Sequence, residues 1–169
     1  MWSIPFLLSL ALLLPVMFCD NGLIVQTTSG GVHGFINQST PLVRQFLGVP
    51  YAEPPLGDLR FMPPETKGNG GVINATAFAP SCMQQFSNSS TIYTAQVPQF
   101  LINGGDSEDC LYLHIWAPAL KTEQLQELAL PVFLYIPGGG FTSGGSNSLA
   151  KIPEKWIQRT QSHIVVVMK

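Results

Sequence analysis

The sequence predicts an α/β fold, in which strands and helices alternate along the chain, and the carboxyl-terminal third carries most of the evidence. Residues 131–136 (PVFLYI) are apolar throughout, as expected of a central strand in a sheet that is covered on both faces. Residues 153–159 begin with proline and favour a short helix. Residues 163–168 (HIVVVM) indicate a second buried strand, so that strand, helix and strand predict a right-handed parallel crossover. No loop follows this last strand, and we therefore expect an incomplete domain.

A further strand is predicted over residues 111–118 (LYLHIWAP). Its alternation puts leucines and an isoleucine on one face and Tyr112, His114 and Trp116 on the other. A histidine in this pattern is expected to lie on a partly polar face of the strand.

The segments before this strand are less regular. Residues 22–36 (GLIVQTTSGGVHGFI) contain two short apolar runs around the turn at 28–31, which predicts a β-hairpin. Residues 80–109 are rich in Ser, Asn, Gln, Pro and Gly and are expected to form a long surface excursion.

The first 19 residues (MWSIPFLLSLALLLPVMFC) differ in composition from the rest of the chain. They carry no charged side chain, and the apolar run is shorter than the about 20 residues of a membrane span. We therefore expect a signal peptide over 1–19, a secreted domain over 20–169, and no stable membrane span after cleavage. A signal anchor is the alternative, because no Lys or Arg precedes the apolar run.

Sequons and cysteines agree with secretion. The N-x-[ST] sequons, where we expect glycosylation, begin at Asn37, Asn74 and Asn88. Cys19 lies at the end of the predicted signal peptide, which leaves Cys82 and Cys110 as a pair. An oxidising compartment would join these two cysteines in a disulfide; two free buried thiols are the alternative.

The charge of the chain excludes some partners. A net charge of −2 and 11% charged residues provide no basic patch for nucleic acid or for an anionic membrane surface. Asp106, Glu108 and Asp109 form an acidic turn, but no histidine or fourth ligand is spaced to complete a metal site. The sequence therefore predicts neither a metal nor another cofactor.

Three consecutive glycines follow the strand in VFLYIPGGGFTSGGS (132–146). A phosphate-binding P-loop would need a lysine where Ser146 stands, and a dinucleotide fingerprint would need a glycine where Ser143 stands. The remaining chemical interpretation is an oxyanion hole, in which backbone N–H groups stabilise the negative oxygen of an acyl-transfer intermediate. A tight, flexible loop without this role is the alternative.

Several motifs in register resemble a known family. The stretches QFLGVPYAEPPLGDLRF (45–61), SEDCLYLHIWAP (107–118) and YIPGGGF (135–141), together with the strand IVVVMK, are similar to segments of type-B carboxylesterases. This group includes cholinesterases and fungal secreted lipases. The resemblance implies the amino-terminal part of an α/β-hydrolase fold, with a β-hairpin and the first strands of the central sheet.

The resemblance also implies roles for individual residues. Gly139 and Gly140 match the two oxyanion-hole donors, and Gly138 matches a residue that shapes the turn. Cys82 and Cys110 match the first disulfide of the family, and Arg60 and Glu108 match a buried structural ion pair. Two positions depart from the pattern: His114 stands where Asn, Asp or Ser is usual, and Pro137 replaces the usual aromatic residue and stiffens the start of the loop.

The catalytic triad of such an enzyme is missing from the sequence. No G-x-S-x-G elbow occurs; Ser143 and Ser146 lack the flanking glycines, and no histidine matches the catalytic one, including His33, His114 and His163. We therefore expect a domain truncated before the nucleophile elbow, from a secreted hydrolase of small-molecule or lipid esters. The alternative is an inactive cholinesterase-like binding or adhesion module, or a truncated product without activity. The sequence predicts neither the ester nor the oligomeric state.

Overall fold

A computed structural model describes residues 22–85, 92–97, 101–102, 104–120 and 129–169. The predicted signal peptide and the sequon at Asn88 lie outside these residues. The strands are β1 Ile24–Thr27, β2 Gly30–His33, β3 Phe35–Ile36, β4 Val43–Pro50, β5 Val72–Asn74, β6 Ser81–Cys82, β7 Asp106–Ser107, β8 Tyr112–Pro118, β9 Val132–Tyr135 and β10 Ile164–Met168. The helices are α1 Ile92–Gln96 and α2 Glu154–Thr160.

A five-stranded sheet in the order β3-β4-β8-β10-β9 organises the molecule. β8 runs antiparallel to both β4 and β10, and β9 runs parallel to β10. The pairing of β4 with β8 is irregular between Phe46 and Val49, where Gly48 adopts a φ of 73°. Because β9 and β10 are parallel, their carboxyl ends lie at the same edge of the sheet. The segment with the three consecutive glycines begins at this edge.

The remaining strands form two smaller sheets. β1 and β2 make the predicted hairpin, with Thr27 opposite Gly30 across a two-residue turn, and β5 pairs with β2. β6 and β7 pair in parallel and close the ends of the segment that the sequence predicts to be a surface excursion.

The main core lies between the five-stranded sheet and α2. Its buried members are Val43, Leu47, Trp116, Ile157, Val165 and Val167. Pro153 occupies the N-cap position of α2, which begins at Glu154, one residue after the helix start that the sequence predicts. Gln45 joins the two layers, because its amide accepts a hydrogen bond from the Trp116 indole at 3.1 Å and donates one to Glu154 at 3.1 Å.

The prediction for β9 is partly wrong. Its parallel pairing with β10 is confirmed, but it occupies the edge of the sheet, and every residue from Val132 to Tyr135 is exposed. β10 pairs on its other side with β8, so β10 is an interior strand of the sheet and β9 is not. An apolar sequence indicates that a strand is to be covered, but it does not indicate which chain segment covers it.

Candidate active site

The glycine loop, residues 137–145, turns back on itself immediately after β9. The carbonyl oxygen of Gly139 accepts hydrogen bonds from the N–H of Thr142 at 3.2 Å and of Ser143 at 3.1 Å. The peptide bond is planar and trans, so the N–H of Gly140 points the opposite way from this carbonyl. The fold of the loop thus directs the N–H of Gly140 away from the loop interior.

The N–H groups of Gly139 and Gly140 are available for a ligand. Among the residues that the structure describes, none accepts a hydrogen bond from either group. Both glycines are exposed and border an open depression of about 400 Å³, which is lined by residues 137–141 and Ser143. The sequence prediction of an oxyanion hole at these glycines therefore stays a prediction, with two unused donors at an accessible surface.

Close backbone packing explains why some of these positions are glycine. A Cβ on Gly139 would overlap the carbonyl of Ser143, and a Cβ on Gly144 would lie 2.7 Å from the carbonyl oxygen of Gly138. Gly140 and Gly144 also have φ values of 61° and 115°, in a region that L side chains rarely adopt. Gly138 has neither constraint, since a Cβ there would meet nothing within 4 Å.

Gln84 forms hydrogen bonds with Gly144, near the end of the glycine loop. Its side-chain amide accepts a hydrogen bond from the N–H of Gly144 at 2.8 Å and donates one to the carbonyl oxygen of Gly144 at 2.9 Å. The same amide nitrogen donates to the carbonyl oxygen of Cys82 at 3.0 Å. Sequence reasoning missed Gln84, because nothing in the local pattern around residue 84 indicates a partner 60 residues away.

His114 and Ser146 form a buried pair, but the hydrogen bond between them runs in the direction opposite to that of a catalytic pair. The Nδ1 of His114 lies 2.8 Å from the backbone nitrogen of Gly48 and must accept its hydrogen bond. The neutral ring then carries its proton on Nε2 and donates to the Ser146 hydroxyl at 3.1 Å. A triad histidine instead accepts at Nε2 from its serine and donates at Nδ1 to an acid.

Burial accounts for the chemistry of His114. The side chain is fully buried and contacts the ring of Phe78 edge to face, and the polar partners of its two ring nitrogens, Gly48 and Ser146, agree with the predicted partly polar face. Desolvation lowers the pKa of His114 from 6.5 to about 4, so that the ring is neutral near neutral pH. We therefore assign the pair a structural role, joining β4 and β8 to the exit of the glycine loop.

The disulfide between Cys82 and Cys110 is confirmed. Arg60 Nη2 lies 2.5 Å from Glu108 Oε1, but this ion pair is not buried, since the two side chains are 54% and 38% exposed. The proline-rich loop that carries Arg60 lies on the surface, and the adjacent Phe61 is almost fully exposed. The pair still connects this loop to the turn before Cys110.

The remaining candidate side chains do not assemble into a nucleophile site. Ser143 is exposed on the glycine loop, His33 ends β2, and His163 is buried against Trp156 with ring centroids 4.1 Å apart. Within the described ranges, no cluster of three or more His, Cys, Asp or Glu side chains could hold a metal ion. Asn37 is half-buried and Asn74 is exposed at the end of β5, and their glycosylation stays a prediction.

No helix in the described part of the chain has both the length and the apolar character that a membrane crossing requires.

Comparison with known proteins gives a consistent result. A model of the carboxylesterase family matches residues 21–169. The chlorogenic acid esterase of Aspergillus niger is 66% identical over 147 residues, which cover 87% of this chain and 29% of that protein. Secreted lipase 5 of Gibberella zeae is 36% identical over 155 residues (85% and 29%), and the acetylcholinesterase of Bungarus fasciatus is 39% identical over 147 residues (84% and 23%). The chain thus spans less than a third of the length of these relatives.

Proposed function

The chain belongs to the carboxylesterase family, and we propose that the protein to which it contributes is a secreted serine hydrolase of carboxylic esters. The described strands are the amino-terminal part of the α/β-hydrolase fold of this family. In this proposal the chain supplies the oxyanion donors, and residues after Lys169 supply the serine, the acid and the histidine of the triad.

One observation carries the proposal. The N–H groups of Gly139 and Gly140 face no acceptor among the described residues and border an open depression at the end of β9. In an open α/β sheet, ligands bind at the carboxyl ends of the strands, which is where the glycine loop lies. An adhesion or binding module has no need of such donors, and this favours the enzyme over that alternative.

The chemistry follows from the charge that develops during ester cleavage. The serine hydroxyl attacks the ester carbonyl carbon while the histidine takes its proton, and the carbonyl oxygen becomes negative. Gly139 and Gly140 would each donate a hydrogen bond to that oxygen. The histidine then gives its proton to the departing alcohol, and water releases the acid from the acyl-enzyme. Losing one such donor costs about 3–4 kcal/mol of transition-state stabilisation.

The similarity to a chlorogenic acid esterase indicates which substrate to test first. At 66% identity over 147 residues, we propose that chlorogenic acid or a related ester is among the substrates of the whole protein. The substrate pockets of the family draw on residues beyond this chain, so the glycine loop by itself does not select among esters.

The test is hydrolysis by the full-length secreted protein. Chlorogenic acid, p-nitrophenyl acetate and p-nitrophenyl decanoate are assayed in parallel, with and without a sulfonyl fluoride that modifies catalytic serines. We expect hydrolysis of at least one ester and its loss after sulfonylation. Failure to hydrolyse any of the three would favour the binding module, and sulfonyl-fluoride-resistant hydrolysis would count against a serine nucleophile.

A further inference from the structure

The side chain of Gln84 forms hydrogen bonds with the glycine loop as well as with its own segment. Its amide pairs with both the N–H and the C=O of Gly144, at 2.8 and 2.9 Å, as a neighbouring strand would. The carbonyl of Gly144 also accepts a hydrogen bond from the Lys169 ammonium. The carbonyl of Gly144 thus has two donors, whereas its N–H donates to the side-chain oxygen of Gln84.

Gly144 is in turn packed against Gly138 and Gly139, the second of which is a proposed oxyanion donor. The Cα of Gly144 would lie 3.3 Å from a Cβ on Gly139, and a Cβ on Gly144 would lie 3.5 Å from the Cα of Gly139. A Cβ on Gly139 would overlap the Ser143 carbonyl, and a Cβ on Gly144 would lie 2.7 Å from the carbonyl oxygen of Gly138, so the two sides of the loop are in close backbone contact. A shift of Gly144 therefore moves Gly139, and with it the peptide that carries the N–H of Gly140.

The backbone under Gln84 is anchored independently of the loop. Cys82, two residues earlier, is bonded to Cys110 and lies in β6, which pairs with β7. The Gln84 amide also donates to the carbonyl oxygen of Cys82 at 3.0 Å, which limits the freedom of its own side chain. The exit of the loop is fixed nearby, because the buried Asn147 accepts a hydrogen bond from Ser81 at 2.9 Å and donates one to Ala79 at 3.2 Å.

We propose that Gln84 is a positioning residue for ester hydrolysis: it transmits the rigidity of the disulfide-linked β6 segment to Gly144 and thereby fixes the direction of the N–H groups of Gly139 and Gly140. Gln84 does not touch the reacting atoms. The inference rests on the proposed function, because the direction of these groups affects a rate only if an oxyanion forms between them.

The test compares two glutamines one residue apart in the full-length enzyme. Gln84→Met keeps the volume of the side chain and removes every hydrogen bond to Gly144 and Cys82. Gln85→Met is the matched control, because Gln85 is exposed and its side chain has no hydrogen-bond partner within the described ranges. Gln84→Asn, whose amide is one methylene shorter, serves as a milder variant if Gln84→Met does not fold.

Kinetics and inhibition separate positioning from a merely structural role. With p-nitrophenyl acetate, and active sites counted by burst titration, we expect Gln84→Met to lower kcat by about 10-fold to 100-fold with little change in KM, since a displacement of about 1 Å can cost this much. The affinity for a phenyl trifluoromethyl ketone, whose bound oxygen mimics the oxyanion, should fall by the same factor as kcat/KM. Gln84→Asn should lose less, and Gln85→Met should match the wild type.

Each outcome supports or overturns the inference. If the wild type is active and Gln84→Met keeps its kcat per active site, Gln84 has no positioning role and only this inference fails. If the variant loses active sites without a change in kcat or in ketone affinity per site, its role is structural and the inference fails as well. If the wild type hydrolyses no ester, the proposed function fails and the inference fails with it.

Discussion

Individual glycines of the loop carry different constraints, although the sequence presents them as three equivalent residues. Gly139 is limited by the Ser143 carbonyl, Gly140 by its φ of 61°, and Gly138 by neither. An alanine at position 140 that kept this φ would cost about 1–2 kcal/mol, so the loop is expected to relax and to turn the N–H of residue 140 away from its present direction.

The loop therefore predicts an unequal response to alanine in the full-length enzyme. We expect Gly140→Ala to lower kcat/KM for p-nitrophenyl acetate by about 10-fold to 100-fold, because the donor is misdirected rather than removed. Gly138→Ala should cost much less. Steady-state kinetics of the two variants check this order, and equal losses would show that the glycines act as one flexible unit.

His114 gives the protein a pH dependence of its own. Its pKa is about 4 in the folded protein and about 6.5 when exposed, so the unfolded state binds more protons between these two values. This contribution to stability is fully present above about pH 6.5 and decreases as the pH falls toward 4. The total loss is about 3 kcal/mol.

Urea unfolding between pH 4 and pH 7 tests this behaviour in the full-length protein. The free energy of unfolding should fall more steeply with acidification in the wild type than in His114→Asn, which cannot take up the proton. Since the other titrating groups are common to both proteins, the difference between the two curves isolates His114. Parallel curves would contradict the assigned burial of the neutral ring.

Patterns among neighbouring residues predict individual helices, strands and turns. The hairpin, β8, β10 and α2 are predictable because alternation, turn residues and a proline at a helix start are properties of neighbouring residues. The edge position of β9 and the burial of His114 depend on which distant segments pack together. The same holds for the contact between Gln84 and Gly144, so no local pattern indicates it.

The resemblance to a family predicts contacts between residues that are distant in the sequence, which local patterns do not. The pairing of Cys82 with Cys110 and the proximity of Arg60 to Glu108 are implied by motifs in register, and both pairs are in contact in the structure. The expected burial of the ion pair is wrong, because burial depends on what covers the proline-rich loop and not on the two residues themselves.

The disulfide between Cys82 and Cys110 closes the segment that supports the glycine loop. Removing it with Cys82→Ala and Cys110→Ala should lower the free energy of unfolding by about 3–4 kcal/mol for a 28-residue separation. We also expect kcat to fall in the fraction that stays folded, because Gln84 loses its anchor. Thermal melting and burst-titrated kinetics of the double variant measure both effects, and dithiothreitol-treated wild type is the control. Unchanged kcat per active site would mean that the β6 segment holds its place without the disulfide.

At the scale of the whole molecule, the exposed β9 is the feature that most needs an explanation. Val132 to Tyr135 and Ile136 expose apolar side chains along a sheet edge, and such an edge favours pairing with other chains. The chain spans 29% of the length of the chlorogenic acid esterase it matches. We propose that residues after Lys169 cover this strand in the whole protein.

Expression of residues 20–169 alone tests that proposal. We expect a poorly soluble product without esterase activity, because the apolar edge is uncovered and, in the proposed function, residues after Lys169 supply the triad. Leu134→Lys in the same shortened chain should raise the soluble fraction, since a charge on an edge strand opposes pairing. A soluble, active monomer of residues 20–169 would contradict both the uncovered edge and the missing triad.

The most direct test of the proposed oxyanion loop is the pre-steady-state release of p-nitrophenol from p-nitrophenyl acetate by the full-length protein and by Gly139→Ala. Acyl-enzyme formation predicts a burst with an amplitude close to the enzyme concentration in the wild type. In Gly139→Ala, where a Cβ would overlap the Ser143 carbonyl, the burst rate should fall by about 100-fold or more. A wild type without a burst or any turnover, or equal burst rates in the two proteins, would contradict the role assigned to the glycine loop.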